Sequence, residues 1–315
     1  MSDLRLRLPA TSANLGPGFD TLAVALELYL TIDASPSTAL IVEATGRDAA
    51  ICASTKNNLV VDTYRAILAA HGRELIPLRL QVHNEIPLGM GCGSSAAARL
   101  AGVAMASHFG ELHWERDRIL AEAARLEGHP DNAAACWLGG FVACASSEAE
   151  IGAIAIAPPE DWRAVIVMPS RPLATTAARA ILPESYSRRD AVANLQRVAL
   201  LTAAFAAQRA DLIPFAMRDR LHQPYRADVC PLLPKLLPLA GREGILGVAL
   251  SGAGPSVLLL TGSASAASRA QELAAMALGN PEEIECLTCR LAREPARCEP
   301  LQPAGAGVAD PPLVT

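Results

Sequence analysis

The most constraining feature of the sequence is an unbroken alternation of apolar side chains over residues 22–32. The alternating positions are Leu22, Val24, Leu26, Leu28, Leu30 and Ile32. Because side chains two residues apart lie on the same face of a strand, this segment predicts one long β-strand with a fully apolar face. We expect a shorter strand at residues 39–44 to pair with it in antiparallel orientation. Hairpin patterns of this kind, mixed with helical segments, predict an α+β protein rather than a doubly wound parallel sheet.

The length of the chain indicates two lobes. Domains mostly contain roughly 100–200 residues, and this chain has 315. Pro158 and Pro159 interrupt the pattern near the middle and mark a boundary. We therefore predict an N-terminal lobe at residues 1–158 and a C-terminal lobe at residues 159–301. Residues 302–315 are rich in Pro, Gly and Ala, which predicts a flexible tail.

Composition excludes several classes of protein. The net charge is −5 and no basic stripe is present, so nothing would neutralise the phosphates of a nucleic acid. No apolar stretch reaches the ~20 residues that cross a bilayer, and the first residues lack the apolar core of a signal peptide. The eight cysteines lie in apolar surroundings, which favours reduced thiols and a cytoplasmic protein. We expect the lone C-x-x-C pair, Cys286 and Cys289, to be structural rather than metal-binding.

A glycine-rich segment, PLGMGCGSS at residues 87–95, opens directly into a helix predicted from Ser94 to about His108. Glycine allows the backbone to approach a ligand closely. The start of a helix presents unpaired N–H groups and a partial positive charge, which favour phosphate. The segment therefore predicts a phosphate-binding loop. It lacks the Gly-Lys-Ser/Thr ending of a P-loop, and no simple βαβ unit frames it as a dinucleotide site.

Three further segments concentrate small and polar residues. TSANLGPGFD, at residues 11–20, is predicted to be a polar turn-rich connection. EGHPDN, at residues 127–132, brings four polar functional side chains together, and a helix end or a turn alone does not require them. SGAGPS, at residues 251–256, lies between two apolar strands and would suit a wall beside a bound phosphate.

Taken together, these segments resemble the GHMP kinases, the superfamily of galactokinase, homoserine kinase, mevalonate kinase and phosphomevalonate kinase. The glycine-rich loop is similar to their ATP-binding loop, with Cys92 where that family usually has Leu or Met. The segments that resemble the homoserine kinase branch are SANLGPGFD at 12–20, EGHPDN at 127–132, TTAAR at 175–179, PYR at 224–226 and LSGAGPS at 250–256. The resemblance covers about residues 5–290. It implies a two-lobed GHMP kinase fold, with a ribosomal protein S5 domain 2-like N-terminal lobe and a ferredoxin-like C-terminal lobe.

The resemblance also implies ATP and Mg²⁺ as cofactors. The residues that it assigns to the nucleotide are Asn58, Pro87, Gly89, Gly91, Gly93, Ser94, Ser95 and Ala96. Mg²⁺ would be held by Ser95 and an acidic side chain. Glu127 and Glu122 are both candidates for that acid, and Glu127 is preferred.

For L-homoserine as the acceptor, the resemblance implies side chains that suit a zwitterion. Asp20, helped by Asn14, would bind the ammonium group. Arg179 and Arg226, helped by His129, would bind the carboxylate, a task for which a planar guanidinium is suited.

The resemblance assigns the catalytic roles to Asn132, Asp131 and His129. Asn132 would hold the hydroxyl beside the γ-phosphate. Asp131 could act as a general base, or orientation of the hydroxyl beside bound Mg²⁺ could suffice, because phosphoryl transfer depends mostly on positioning and charge neutralisation.

The expected activity is thus ATP-dependent phosphorylation of L-homoserine to O-phospho-L-homoserine, a step of threonine biosynthesis, with no membrane or nucleic-acid partner. One alternative is a GHMP-type kinase for a sugar or mevalonate, against which Asp20 and the two arginines argue. Another is a non-catalytic ATP-binding protein, against which the intact loop and Asn132 argue. A homodimer is left open.

Overall fold

The computed structural model of the chain describes residues 2–147, 150–173, 175–279 and 284–301. Its strands are β1 (Leu4–Asn14), β2 (Gly18–Pro36), β3 (Ile41–Gly46), β4 (Leu78–Asn84), β5 (Phe141–Ser146), β6 (Ile151–Ile156), β7 (Arg163–Pro169), β8 (Ile245–Leu250), β9 (Val257–Thr261), β10 (Ile284–Arg290) and β11 (Arg297–Pro300). Its helices are α1 (Ala49–Cys52), α2 (Leu59–Ala70), α3 (Ser94–Phe109), α4 (Arg116–Glu127), α5 (Asp131–Leu138), α6 (Thr175–Ala180), α7 (Arg188–Ala206), α8 (Ile213–Ala216), α9 (Gln223–Arg226), α10 (Leu232–Leu236) and α11 (Ala264–Leu278). Within these ranges no helix has both the length and the apolar character to cross a membrane.

The long strand β2 organises the first sheet, which has seven strands among the described residues. One edge of β2 pairs with β1 in antiparallel register, with Leu8 opposite Leu30. The other edge is shared, because β4 pairs with its second half and β5 with its first half. The predicted strand at residues 22–32 is therefore confirmed, and the side chains of Leu22 and Ile32 are fully buried.

Two sequence-based predictions in this lobe are wrong. β3 does not pair with the 22–32 strand; it lies parallel to β4, with Ile41 opposite Arg79. The reason is that β4 occupies that edge of β2, and α1 and α2 provide the long crossover that a parallel pair needs. The segment 11–20 is also mostly strand, because β1 extends to Asn14 and β2 begins at Gly18.

The second sheet is antiparallel throughout, in the order β10-β7-β9-β8. The alternating side chains of β7 join the cores of the two lobes. Val165 and Val167 belong to the core beneath α10 and α11, whereas Ala164 and Ile166 belong to the core of the first sheet. The α+β prediction with two lobes is thus confirmed, and the lobes share packed interior.

Aromatic contacts reinforce this junction. The ring of Phe205, on α7, stacks on Phe141 of β5 with 4.0 Å between centroids. Trp162, just before β7, meets the same ring edge-on at 5.2 Å. Such pairs contribute about 0.5–1.5 kcal/mol beyond their buried area, so they help to hold elements of both lobes together.

The last described strand returns to the first sheet. β11 pairs antiparallel with β1, with Leu4 opposite Pro300. The last described strand therefore belongs to the first sheet and not to the sheet of the C-terminal lobe. The division at residues 158 and 159 stays a prediction. The predicted flexible tail, residues 302–315, lies outside the described residues.

The C-x-x-C pair lies on β10, where residues three apart point to opposite faces. Cys289 is buried in the core of the first sheet, and Cys286 packs against the core of the second. Burial raises the pKa of the Cys289 thiol to about 12, so it stays protonated near neutral pH. The two sulfur atoms therefore lie in different environments and do not form a shared metal site.

We predict that the double substitution Cys286→Ser and Cys289→Ser leaves the zinc content at background and lowers stability by about 1–3 kcal/mol, because a hydroxyl replaces a buried apolar thiol. Elemental analysis and chemical denaturation of the variant and the wild type are the measurements. Stoichiometric zinc in the wild-type protein would contradict the structural role.

Candidate active site

A cleft of about 490 Å³ lies between the two lobes. It collects residues from all four of the segments that the sequence singled out. The predicted site residues that line it are Asn14, Asp20, Gly89, Gly91, Gly93, Ser94, Ser95, Glu127, His129, Asp131, Asn132, Arg179 and Arg226. Segments far apart in the chain therefore meet at one place, although their roles there stay predictions.

The glycine-rich loop forms one wall of the cleft and leads into α3. Gly91 has φ +74°, and a Cβ there would lie only 2.2 Å from the carbonyl oxygen of Ser251. The hydroxyl of Ser251 donates to the carbonyl of Gly91 at 2.7 Å. The amide of Gly252 donates to the carbonyl of Ala13 at 3.1 Å. The loop of one lobe is thus packed directly against residues 251–256 of the other.

Asn132 is fixed by a residue that sequence analysis did not assign. The buried hydroxyl of Thr11 donates to Asn132 Oδ1 at 2.7 Å. A Cβ on Gly93 would lie 1.9 Å from that hydroxyl oxygen and 3.2 Å from Asn132 Oδ1. Gly93 therefore leaves room for the Thr11–Asn132 hydrogen bond, while Asn132 Nδ2 lies 3.3 Å from Asp131 Oδ1.

A second, mostly apolar pocket of about 270 Å³ adjoins the start of α3. Its wall includes Leu80, Val82 and Asn58. The amide of Asn58 is fully engaged within the protein. Its nitrogen donates to the carbonyls of Cys52 and Ser54, and its oxygen caps α2 by accepting two backbone N–H groups. Asn58 therefore shapes the pocket that is expected to take the nucleotide base.

Two residues of the predicted nucleotide set lie elsewhere. Pro87 lines a neighbouring depression with Arg47 and Met168. The side chain of Ala96 is fully buried in the core beneath α3.

The candidate acid for a cation is Glu127 rather than Glu122. The hydroxyl of Ser95 donates to Glu127 Oε2 at 3.0 Å, and Arg99 Nε donates to Oε1 at 2.7 Å. Glu122 pairs with Arg125 on α4 and is not among the residues that line the cleft. The hydrogen bond of Arg125 lowers the pKa of Glu122 despite partial burial.

The start of α5 places a buried carboxylate beside an imidazole. Asp131 Oδ1 lies 2.9 Å from His129 Nδ1 and accepts the backbone N–H of Asn132 at 2.7 Å. Burial alone would lower the pKa of His129. The hydrogen bond and the charge of Asp131 outweigh it, so the pKa of His129 is raised above 6.5.

Asp20 and Arg179 form a bidentate ion pair across the cleft. Each side chain is about one-third exposed, at 30% and 34%. Asn14 orients Asp20 by accepting its backbone N–H at 3.0 Å, while its own Nδ2 donates to Gly252. Both Asn14 and Asp20 have positive φ, a conformation that Asn and Asp tolerate better than most residues.

The ligand atoms of Asp20, His129 and Asp131 lie within 4.8 Å of one another. Two carboxylates with an imidazole at this separation suit a positively charged group, either an ammonium or a metal ion. Arg179 borders this cluster through its pair with Asp20.

Arg226 is a bulky charged side chain buried in the cleft wall, with 1% of its surface exposed. Its Nε donates to the carbonyl of Ala178 at 3.0 Å, and its Nη1 contacts His222 Nδ1 at 3.0 Å. Among the described residues it has no carboxylate partner. Burial and the charge of Arg179 lower the pKa of Arg226.

Sequence reasoning did not find three residues of the site, namely Thr11, Arg99 and Ser251. Thr11 lies within the quoted TSANLG segment, so its position could have been noticed. Arg99 lies one helical turn after Ser95, which places both on one face of α3. Ser251 begins the quoted SGAGPS segment, but its contact with the other lobe depends on the tertiary fold.

The chain matches two family models. The model for the GHMP kinases N terminal domain matches residues 58–140, and the model for the GHMP kinases C terminal matches residues 201–276. The chain is also similar in fold to a galactokinase from Lactococcus lactis, with TM-score 0.65, 13% identity and coverage of 94% of this chain and 95% of the other. Fold and site therefore define the class as ATP-using kinases of the GHMP type.

Relatives with higher sequence identity to this chain are homoserine kinases. A homoserine kinase of Solibacter usitatus is 48% identical over 81% of this chain and 84% of its own length. One from Thermus thermophilus is 42% identical over 81% and 86%. The crystal structure of homoserine kinase from Cytophaga hutchinsonii superposes with TM-score 0.80 at 26% identity, covering 95% and 98% of the two chains. The chain belongs to the homoserine kinase family within the GHMP kinases, as the sequence motifs predicted.

We predict that Thr11→Val lowers kcat about 10- to 100-fold and changes the KM for ATP less than about twofold, because the partly buried Asn132 amide loses its donor at similar side-chain volume. Steady-state kinetics on both substrates are the measurement. Thr11→Ser is the matched control, since it keeps the hydroxyl. Equal losses in both variants would assign the effect to altered packing at position 11 rather than to the missing hydroxyl.

We predict that the contribution of the His129–Asp131 pair to stability falls as pH rises. The pKa of His129 is raised in the folded state, so its stabilisation is complete below 6.5 and is lost as pH passes through the raised value. The difference in unfolding free energy between wild type and His129→Gln, measured by denaturation between about pH 5.5 and 8.5, should shrink with pH. A difference that grows with pH would contradict this ion pair.

Proposed function

We propose that this protein transfers the γ-phosphoryl group of ATP to the hydroxyl of L-homoserine, and that it recognises the acceptor as a zwitterion. The observation that carries this proposal is the buried guanidinium of Arg226. It lines the cleft beside Arg179 and has only neutral hydrogen-bond partners among the described residues.

A buried charge without a counter-ion is costly, so it indicates that an ionic ligand completes the site. The carboxylate of an amino acid supplies that counter-ion. Two guanidinium groups at one wall of the cleft can both donate to it, and such charge-assisted hydrogen bonds are strong. Neither a neutral sugar nor a bare alcohol would neutralise Arg226.

The ammonium group of the acceptor is assigned to Asp20 and the neighbouring cluster with Asp131. Without substrate, Asp20 and Arg179 neutralise each other. A zwitterion offers each of them a partner of opposite charge, so binding exchanges one internal ion pair for two ion pairs with the ligand. This exchange favours acceptors that carry both charges.

ATP is assigned to the glycine-rich loop and the adjoining apolar pocket. The start of α3 supplies backbone N–H groups for the phosphates, and the pocket beside Asn58 has the apolar walls that suit a purine. The two cavities share Ser94 and Ser95, so a nucleotide lying across them would bring its γ-phosphate toward Asn132.

Mg²⁺ is assigned to Ser95 and Glu127. A hydroxyl and a carboxylate oxygen 3.0 Å apart form the oxygen-only donor set that Mg²⁺ prefers, and the remaining ligands would come from phosphate and water. Arg99 fixes the other oxygen of Glu127, which orients the carboxylate. When bound, the ion neutralises charge on the phosphates of ATP.

The contribution of the protein to the transfer step is positioning. Asn132, held by Thr11 and Asp131, orients the acceptor hydroxyl toward the phosphoryl group. Two routes exist for the hydroxyl proton, either to Asp131 or to an oxygen of the transferred group. His129 keeps Asp131 in place through its hydrogen bond to Oδ1.

The reaction is proposed to take place in the cytoplasm. All eight cysteines lie in the described residues and are free thiols, which suits a reducing compartment.

An acceptor panel tests the substrate. Wild-type protein should release ADP with L-homoserine far faster than with serine, threonine or mevalonate. Arg179→Leu should lower kcat/KM for homoserine about tenfold or more, because the carboxylate loses one charged donor. The same variant should lower kcat/KM for aminopropanol much less, because this acceptor keeps the amine and the hydroxyl but lacks the carboxylate.

Two controls sharpen this experiment. Arg179→Lys should recover only part of the loss, because an ammonium cannot present a planar fork. Arg209→Leu removes an arginine from a solvent-exposed pair with Asp211 and should leave both acceptors unaffected. Equal losses of homoserine and aminopropanol activity in Arg179→Leu would overturn the carboxylate assignment.

A further inference from the structure

A fully buried polar assembly lies directly behind Arg226. His222 precedes α9 and has no exposed surface. Its Nδ1 contacts Arg226 Nη1 at 3.0 Å, and its Nε2 contacts the carbonyl oxygen of Gly16 at 2.7 Å. The ring of Phe19 lies 5.4 Å from the imidazole and 5.4 Å from the guanidinium carbon, so it covers both groups.

These contacts determine the protonation of His222. A guanidinium has only donors, so the Nδ1 atom that faces it must accept. A carbonyl oxygen has only lone pairs, so the Nε2 atom that faces Gly16 must donate. His222 is therefore neutral, with its proton on Nε2, and burial lowers its pKa in agreement with that form.

The carboxylate nearest to His222 is occupied by other donors. Asp219 accepts the backbone N–H groups of residues 221, 222 and 223 at 2.7–2.9 Å. It also accepts Asn194 Nδ2 at 2.9 Å. Its Oδ2 lies 3.6 Å from His222 Nε2, on the side of the ring away from Arg226. Asp219 thus fixes the turn that begins α9 and does not pair with the arginine.

We propose that His222 is a positioning residue for acceptor recognition: its Nδ1 lone pair fixes the guanidinium of Arg226 in the orientation that receives the acceptor carboxylate. This inference rests on the carboxylate role of Arg226 proposed above. With Nε bound to Ala178 and Nη1 bound to His222, Nη2 is left without a partner among the described residues.

The neutrality of both partners explains why a histidine serves here. A carboxylate at position 222 would pair with Arg226 and compete with the carboxylate of the acceptor. A neutral imidazole and a backbone carbonyl orient the guanidinium but leave its charge in place. The full positive charge is then available to the ligand from a guanidinium that is itself almost completely buried, and charge-assisted hydrogen bonds are stronger in buried surroundings than in water.

The test uses two substitutions of nearly equal shape. His222→Asn places an amide oxygen where Nδ1 was, so an acceptor for Arg226 remains. His222→Leu has the same branching without an acceptor. Both lose the contact with Gly16, so both should show similar losses of thermal stability. The KM for homoserine should rise about tenfold or more in the leucine variant and less than about threefold in the asparagine variant.

Further readouts separate positioning from a general structural effect. The KM for ATP and the kcat/KM for aminopropanol should be alike in the two variants, because neither depends on the guanidinium. His222→Phe keeps the ring contact with Phe19 and also lacks the acceptor, so it should behave like His222→Leu and replaces it if that variant does not fold.

Each remaining outcome is decisive. An equal rise in the homoserine KM for the asparagine, leucine and phenylalanine variants would overturn the role of the Nδ1 acceptor, as would no rise in any of them. Arg226→Met distinguishes this failure from failure of the proposed function. An unchanged homoserine KM in Arg226→Met would overturn the carboxylate clamp itself, whereas a large rise there with no effect at position 222 would overturn only the inference about His222.

Discussion

The contact between two glycine-rich loops, one from each lobe, is the interaction on which the site depends. Ser251 donates to the carbonyl of Gly91, and Gly91 has no room for a side chain against Ser251. Gly252 in turn bonds to Ala13 at the end of β1 and to Asn14. These contacts bring the phosphate loop, the turn that carries Asp20 and the C-terminal lobe to one point. The cleft therefore lies between lobes whose interiors are packed together.

Charge within the cleft follows a consistent arrangement. A charge that is proposed to bind the acceptor has an internal partner that is either neutral, as for Arg226, or a group that the acceptor could replace, as for Asp20 and Arg179. A charge that only supports the site accepts several hydrogen bonds from within the protein, as Asp219 does. The energetic cost of keeping Arg226 buried without a counter-ion is tolerated because the surrounding packing and hydrogen bonds fix it. In the proposed function, the carboxylate of the acceptor would remove that cost on binding.

Local patterns predicted much of this structure. The alternation that ends at Ile32 identified β2, and the glycine-rich loop followed by alanines identified the start of α3. Local patterns did not predict how strands from distant segments pair. β3 pairs with β4 because β4 already occupies the edge of β2. The choice between Glu122 and Glu127 also needed the fold. Residues five apart lie about 140° apart around a helix, so only the packing of α4 decides which one faces the cleft. Thr11 lies in a segment that the sequence singled out, but its bond to Asn132 could not be predicted, because a strand hydroxyl has no preferred partner until the lobe is assembled.

The return of β11 to the first sheet has a consequence for biosynthesis. β1 leaves the ribosome long before the strand that covers its outer edge, because that strand contains residues 297–300. Until those residues have been translated, that edge presents unpaired backbone groups, which are a template for pairing with other chains. The order of synthesis therefore leaves one side of the nascent first sheet open until residues 297–300 emerge, and premature termination before residue 297 would leave it so permanently.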